Sequence, residues 1–303
     1  MGPAFGQPHF FREGGKMANK CNSCPRNCGA ERPKGFCRAP SEFLVSRVAL
    51  HPYEEPPISG DKGSGTIFFG GCNLGCVYCQ NKAISRGGRG EIMSGDRLEA
   101  AMLSLCEQGA HNINLVTPSH YFSELAPLLE RVKPKLGVPI VCNCGGYESV
   151  DALKRLEGLV DVYLPDFKYF SAEISAKYSF APDYFDVASR AIAEMSRQQP
   201  KLLFEDGLLK KGLVIRHLVL PGCRKDSMRV LDELSELLSG RQFLLSLMSQ
   251  YTPDFVDEEK FPELGRPVTT FEYNSVMSHA EKLGFEGFFQ ARSSVGKKYT
   301  PEF

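Results

Sequence analysis

The chain carries no excess charge of either sign. Its 36 Lys and Arg residues stand against 36 Asp and Glu, which leaves no net field to draw it onto nucleic acid or an anionic membrane surface. No stretch approaches the roughly 18 consecutive apolar residues of a membrane span, and the opening MGPAFGQPHFFREGGKMANK lacks the apolar segment of a signal peptide. These absences lead us to expect a cytoplasmic protein without membrane attachment, and they give no sign of a nucleic-acid partner. There is no internal sequence repeat either. What remains is a chain with 42% hydrophobic and 24% charged residues, too apolar for disorder and long enough to bury a sizeable core. One α/β barrel takes about 200–250 residues, so the 303 residues predict one large domain with an appendage.

Cysteine is where the sequence departs from the ordinary. There are 11, and seven fall in two tight clusters: Cys21, Cys24, Cys28, Cys37, then Cys72, Cys76, Cys79. A secreted disulfide framework would spread them in pairs, whereas clustered thiols in a reducing compartment read as metal or iron–sulfur ligands. Cys106, inside an apolar helical pattern, reads as a small buried hydrophobe. Cys142, Cys144 and Cys223 each fall at the end of a predicted strand and are less easily assigned to packing.

Three segments organise the chain. Residues 1–20 are Gly-, Pro- and Phe-rich without period, with Met17 as a second start, and read as a mobile tail. Residues 21–62 hold the first Cys cluster, too short to bury a core without a metal, followed by the linker HPYEEPPISGDKGSG. From residue 63 to 303, short apolar runs alternate with helix-period segments. The runs are TIFFGG, INLVTP, VPIVCN, VDVYLPD, LVIRHLVLPG, FLLSLMSQ and GFFQ. Ser94 and Thr269 are N-cap candidates, and Gly109, Gly158, Gly240 and Gly284 stand where helices should stop. Such alternation means βαβ units and a parallel sheet whose functional groups collect at the C-terminal strand ends. LLFEDGLLKKG, with its Asp206-Gly207 turn, predicts a small hairpin before the fifth strand.

Directly after the first predicted strand comes GCNLGCVYCQN, a Cys72-x3-Cys76-x2-Cys79 spacing. Three thiolates so close together can bind three irons of a cubane cluster and leave the fourth without a protein ligand. Zinc is the rival, but a closed structural zinc site takes four ligands, and no fourth Cys or His follows closely. The earlier cluster, CNSCPRNC followed by GFC, offers four thiolates. Four soft ligands suit tetrahedral Zn²⁺, toward which the close spacing leans, and also a fully ligated second [4Fe–4S] cluster.

With its C-x3-C-x2-C loop and an aromatic before the last Cys, the chain resembles the radical S-adenosylmethionine superfamily. Within it, the sequence is similar over roughly residues 20–292 to the PflX branch of pyruvate formate-lyase activating enzyme-like iron–sulfur proteins. The resemblance implies an α/β partial barrel of radical SAM type with a small N-terminal Cys-rich module. It implies a [4Fe–4S] cluster on Cys72, Cys76 and Cys79 that binds S-adenosylmethionine through its free iron. An electron from that cluster would cleave the cofactor to methionine and a 5′-deoxyadenosyl radical, which abstracts hydrogen from a substrate, here an oxidoreductase reaction run anaerobically. It also implies a one-electron donor such as flavodoxin or ferredoxin and, from the branch name, a glycyl-radical enzyme as protein substrate. Other substrates in view are a different protein, an RNA or a small molecule; the reading outside enzymes is a metal-binding adaptor.

The resemblance also assigns the strand ends. Where many members carry Gly-Gly-Glu for the methionine amine, this chain has TPSH, leaving Thr117 and Ser119 as acceptors. Asn143 in NCGG resembles the turn that lines the cofactor pocket, and Asp166-Phe167-Lys168 is similar to the Asp-x-Lys of glycyl-radical activating enzymes. Arg216 in IRHLVLPG would pair with the cofactor carboxylate, and Tyr78 would pack against adenine. Taken singly, Asp166, Lys168 and Arg216 could be structural ion pairs; their succession at strand ends favours function. His120 and His217 read as structural histidines, and Asp257-Glu258-Glu259 as a solvated loop.

Overall fold

The computed structural model describes residues 21–290, so the tail assigned to residues 1–20 lies outside the described residues. Among the described residues ten strands form one sheet: β1 (Phe43–His51), β2 (Ser64–Phe69), β3 (Glu91–Met93), β4 (Ile113–Val116), β5 (Ile140–Cys144), β6 (Val162–Pro165), β7 (Leu203–Glu205), β8 (Leu208–Leu218), β9 (Leu244–Met248) and β10 (Gly287–Phe289). Their order is β10-β9-β8-β6-β5-β4-β2-β1-β3, with β7 paired to β8. From β2 through β4, β5, β6, β8 and β9 to β10 every neighbouring pair is parallel. Because the two ends of this path do not pair with each other among the described residues, the sheet is an open, partial α/β barrel.

The seven parallel strands coincide with the seven apolar runs, and the helices between them fall on the amphipathic segments. Ser94 caps α3 (Gly95–Glu107) by accepting from the Arg97 amide, and Thr269 forms a capping box with Glu272 at the start of α9 (Thr270–Lys282). Asp206 and Gly207, both at positive φ (51° and 78°), close the β7–β8 hairpin. Two strands were not foreseen. Along FLVSRVALH the pairing of β1 with β2 is broken by a bulge between Val45 and Arg47, which disrupts the period-2 pattern that marks a strand. β3 is only three residues long and largely exposed. Residues 43–51, grouped by sequence with the Cys-rich module and linker, thus belong to the sheet.

Alternation along the strands sorts the core from the site. Val141, Val162, Leu164 and Val214 are buried in one apolar cluster with Ile58, which comes from the short helix α1 (Pro56–Ser59). Two residues beyond Val141, Leu164 and Val214 on the same strand face stand Asn143, Asp166 and Arg216. The intervening Cys142, Tyr163, Leu213 and Ile215 join the main core beneath the helices.

Candidate active site at the C-terminal strand ends

The loop after β2 carries the three cysteines. Gly71 and Gly75 take positive φ there (86° and 70°), and a Cβ on Gly71 would lie 2.6 Å from the Cys37 carbonyl, so only glycine permits so close an approach. The Cys72 amide donates to that same carbonyl at 3.2 Å, tying the first Cys cluster to the second. Each thiol of the triad has a donor: the Leu74 amide at 3.4 Å from Cys72 Sγ, Ser85 Oγ at 3.5 Å from Cys79 Sγ and Ser179 Oγ at 2.9 Å from Cys76 Sγ.

These donors do not by themselves make thiolates. Enclosure pushes the Cys79 thiol up to about 12, with the neighbouring Cys76 and Cys72 adding to the rise, and Cys72 is raised for the same reasons. Holding all three deprotonated side by side takes a cationic centre. Among the described residues no three His, Cys, Asp or Glu side chains close around a single metal ion. A cubane cluster asks for a different arrangement, in which each thiolate binds its own iron, and the triad's donor set fits that group.

Cys72, Cys76 and Cys79 line one cavity together with Thr117, Asn143, Asp166, Lys168 and Arg216, so the structure brings together most of the residues singled out in the sequence. Asp166 and Arg216 pair across β6 and β8 through a single parallel bridge. Arg216 Nε donates to Asp166 at 2.9 Å and its Nη2 to Asn143 Oδ1 at 2.6 Å, while its Nη1 meets Glu54 only at 3.8 Å. Lys168 Nζ holds the other Asp166 oxygen at 2.5 Å. Burial pushes Asp166 up, but Arg216 and Lys168 outweigh it and keep the carboxyl below its usual range. Thr117 ends β4 in a left-handed conformation, φ 59°, a strained backbone for a β-branched residue, with its amide bound to the Asn143 carbonyl at 2.8 Å.

Two other expected residues lie elsewhere. Tyr78 is 6% exposed and is not part of the cavity lining; its ring packs edge-on to Tyr251 and its hydroxyl bonds to Tyr169 at 2.5 Å. Ser119 is buried and is not part of the cavity lining; it donates to Glu148 at 2.7 Å. Both histidines kept out of the chemistry are buried against carbonyls, His120 on Gly70 and His217 on Phe167, and burial lowers them to about 3 and about 4.

The segment read as a linker is a wall of the site. His51, Tyr53 and Glu54 line the cavity, and burial pushes the Glu54 carboxyl up to about 7, with Glu55 and Asp166 adding and Arg216 opposing. Only the Glu-Glu pair between prolines hinted at this. Cys144, at the end of β5, borders the cavity while packing in the main core with Cys142, whereas Cys223 stands at the N-cap position of α8 (Arg224–Leu237) outside it.

A parallel partial barrel with a three-cysteine loop at the mouth, facing a buried cation–carboxylate network, defines a class of cluster-binding α/β barrels. The chain belongs to the radical SAM superfamily: residues 66–212 match that superfamily's domain, which implies a [4Fe–4S] cluster and S-adenosylmethionine. It is also 31% identical over 281 residues to an uncharacterized protein of Methanocaldococcus jannaschii, covering 88% of this chain and 75% of the relative. No helix among the described residues is long and apolar enough to cross a membrane.

Proposed function

We propose that Cys72, Cys76 and Cys79 hold the catalytic [4Fe–4S] cluster and that the strand-end network binds S-adenosylmethionine beside it. The observation that carries this reading is the opening of the triad and of Asn143, Asp166, Lys168 and Arg216 onto one cavity. When bound, cluster and cofactor supply reductive cleavage to a 5′-deoxyadenosyl radical that abstracts a substrate hydrogen. The chain's own part is electrostatic and positional. Arg216, oriented by Asp166 and Asn143, presents its Nη1 to the cofactor carboxylate, and Thr117 offers a hydroxyl for the amine. Lys168 holds the second Asp166 oxygen, so two cations meet one carboxylate and the network offers a net positive charge to the cofactor carboxylate.

The substrate we favour is a protein glycine, as in activation of a glycyl-radical enzyme; the Asp166-Phe167-Lys168 strand end supports it. The electron donor is a flavodoxin or ferredoxin. In its favour, Cys76 also borders an outer groove lined by Phe36, Phe180 and Phe261 with Lys34, Arg38 and Lys82 around them, a surface suited to an acidic partner. For the module of Cys21, Cys24, Cys28 and Cys37, whose thiols do not already close around a single ion, the occupant we assign is zinc, bound with rearrangement of the thiols, or a second iron–sulfur cluster.

Anaerobic reconstitution tests the core of the reading. The reduced protein should show a [4Fe–4S]⁺ paramagnetic resonance signal that S-adenosylmethionine perturbs, and should form 5′-deoxyadenosine; Cys76→Ala should lose both. Uptake of zinc alone, with no cluster and no deoxyadenosine, would overturn it in favour of a metal-binding adaptor. Incubation with a glycyl-radical enzyme tests the substrate: no complex and no glycyl radical signal would turn attention to another protein, an RNA or a small molecule.

A further inference from the structure

Three hydroxyls run in line from the protein interior to one cysteine of the triad. Tyr78 OH lies 2.5 Å from Tyr169 OH, Tyr169 OH 2.7 Å from Ser179 Oγ, and Ser179 Oγ 2.9 Å from Cys76 Sγ. We infer that Ser179, Tyr169 and Tyr78 form a polarised hydrogen-bond relay onto Cys76 that sets the reduction potential of the cluster bound there. The inference rests on the reading that the triad holds a [4Fe–4S] cluster.

The direction of the relay follows from the proton inventory. A cluster-bound thiolate has no proton to give, so Ser179 must donate to it. A hydroxyl carries one proton, so Ser179 then accepts from Tyr169, and Tyr169 from Tyr78. All three side chains are buried, Ser179 and Tyr169 almost completely, so water does not compete and each bond strengthens the next. Adding an electron to the cluster adds negative charge that its sulfurs share, and a hydrogen bond to a ligating sulfur stabilises that reduced state. The effect is concentrated on one ligand, because the donors to Cys72 and Cys79 stand farther off, at 3.4 and 3.5 Å.

The relay is also held from both sides. Ser179 is the last residue of α6 (Ala172–Ser179), and the Val77 amide donates to the Tyr178 carbonyl at 2.9 Å, which locks this helix end onto the cysteine loop. Arg26, from the first Cys cluster, donates to the Ser179 carbonyl at 3.0 Å and to Asn73 O at 2.7 Å, and also to the Phe180 carbonyl. Packing alone would be served by Phe, Phe and Ala at the three positions; the three aligned oxygens are what the relay needs.

The test is a paramagnetic-resonance redox titration of the reconstituted full chain as wild type, Ser179→Ala, Tyr169→Phe and Tyr78→Phe, with iron and sulfide content measured for each. At a fixed applied potential, Ser179→Ala should lower the ratio of reduced to oxidised cluster about tenfold, a shift of about 59 mV to more negative potential for a one-electron couple. Tyr169→Phe should shift it the same way by less, and Tyr78→Phe by less again. A full cluster with an unchanged midpoint in Ser179→Ala overturns the relay. Should that variant fail to build its cluster, Tyr169→Phe decides, since it removes one oxygen and keeps the ring; an unshifted midpoint there overturns the relay equally. A wild-type chain that assembles no [4Fe–4S] cluster overturns the reading of the triad, and the relay with it.

Discussion

Arg26 and Ser179 lie 153 residues apart in the chain, and the guanidinium Nη2 of one donates to the carbonyl of the other at 3.0 Å. The same guanidinium stacks over the Phe36 ring at 4.0 Å. A Cys-rich segment too small to own a core is thereby fastened to the barrel by a side chain whose donors are spent on backbone carbonyls of two different loops.

Replacing Arg26 with Met keeps the stem and removes the donors. Each charge-assisted hydrogen bond contributes about 1.5–3 kcal/mol, so Arg26→Met should lower stability by roughly 2 kcal/mol. Limited proteolysis should then cut within residues 21–40 before the barrel. Wild-type resistance at that segment would show that the module is held by something else.

Metal analysis separates the two occupants of the first cluster. A Cys21→Ser/Cys24→Ser double variant should lose the module's metal and retain the iron bound at Cys72, Cys76 and Cys79. Loss of one zinc per chain identifies a zinc site; loss of about four irons identifies a second cluster. A variant with the full wild-type metal content would show that the module binds none.

Arg216→Met should weaken S-adenosylmethionine binding tenfold or more, the loss expected when the charge-assisted contact from Nη1 to the cofactor carboxylate is removed. Titration calorimetry on the reconstituted protein measures it. The cluster signal without cofactor should stay as in wild type, because no triad cysteine bonds to Arg216. Unchanged affinity would mean that Arg216 serves only Asp166 and Asn143.

Glu54 predicts a pH dependence. Burial lifts its carboxyl from the usual 4.5 to about 7 in the folded chain, so between those values the folded state keeps a proton that the unfolded state releases. Stability should therefore fall as pH rises through that window and stay low above it. Glu54→Gln removes this contribution: urea unfolding should find it more stable than wild type at pH 8 and closer to wild type at pH 5. Equal differences at both pH values would mean that Glu54 is not buried as a carboxyl. Glu148, raised in the same way, contributes to both proteins and cancels in the comparison.

How legible the site was from sequence depended on the range of the interactions. The Cys72, Cys76 and Cys79 triad is local, so its spacing alone carried the meaning. Asn143, Asp166 and Arg216 were reachable because parallel strands all end at one edge and period-2 alternation points those residues inward. Glu54 was missed because a Pro- and Gly-rich stretch reads as linker wherever it goes, and β1 because a bulge hides its period. Tyr78 sits in the right loop, but whether its ring faces cavity or core is settled by Tyr169 and Tyr251, 91 and more positions away in the chain.

The sequence by itself determined the alternation of strand and helix, the hairpin at Asp206-Gly207, the helix caps and the three-thiolate loop, because each is a property of residues within a turn or two of one another. The tertiary structure alone decided that Glu54 shares the cavity with that loop, that Tyr78 and Ser119 do not line it, and which oxygens reach Cys76. Those residues come from segments well separated in the chain, up to the 103 residues between Cys76 and Ser179, and only the closing of the sheet brings them together.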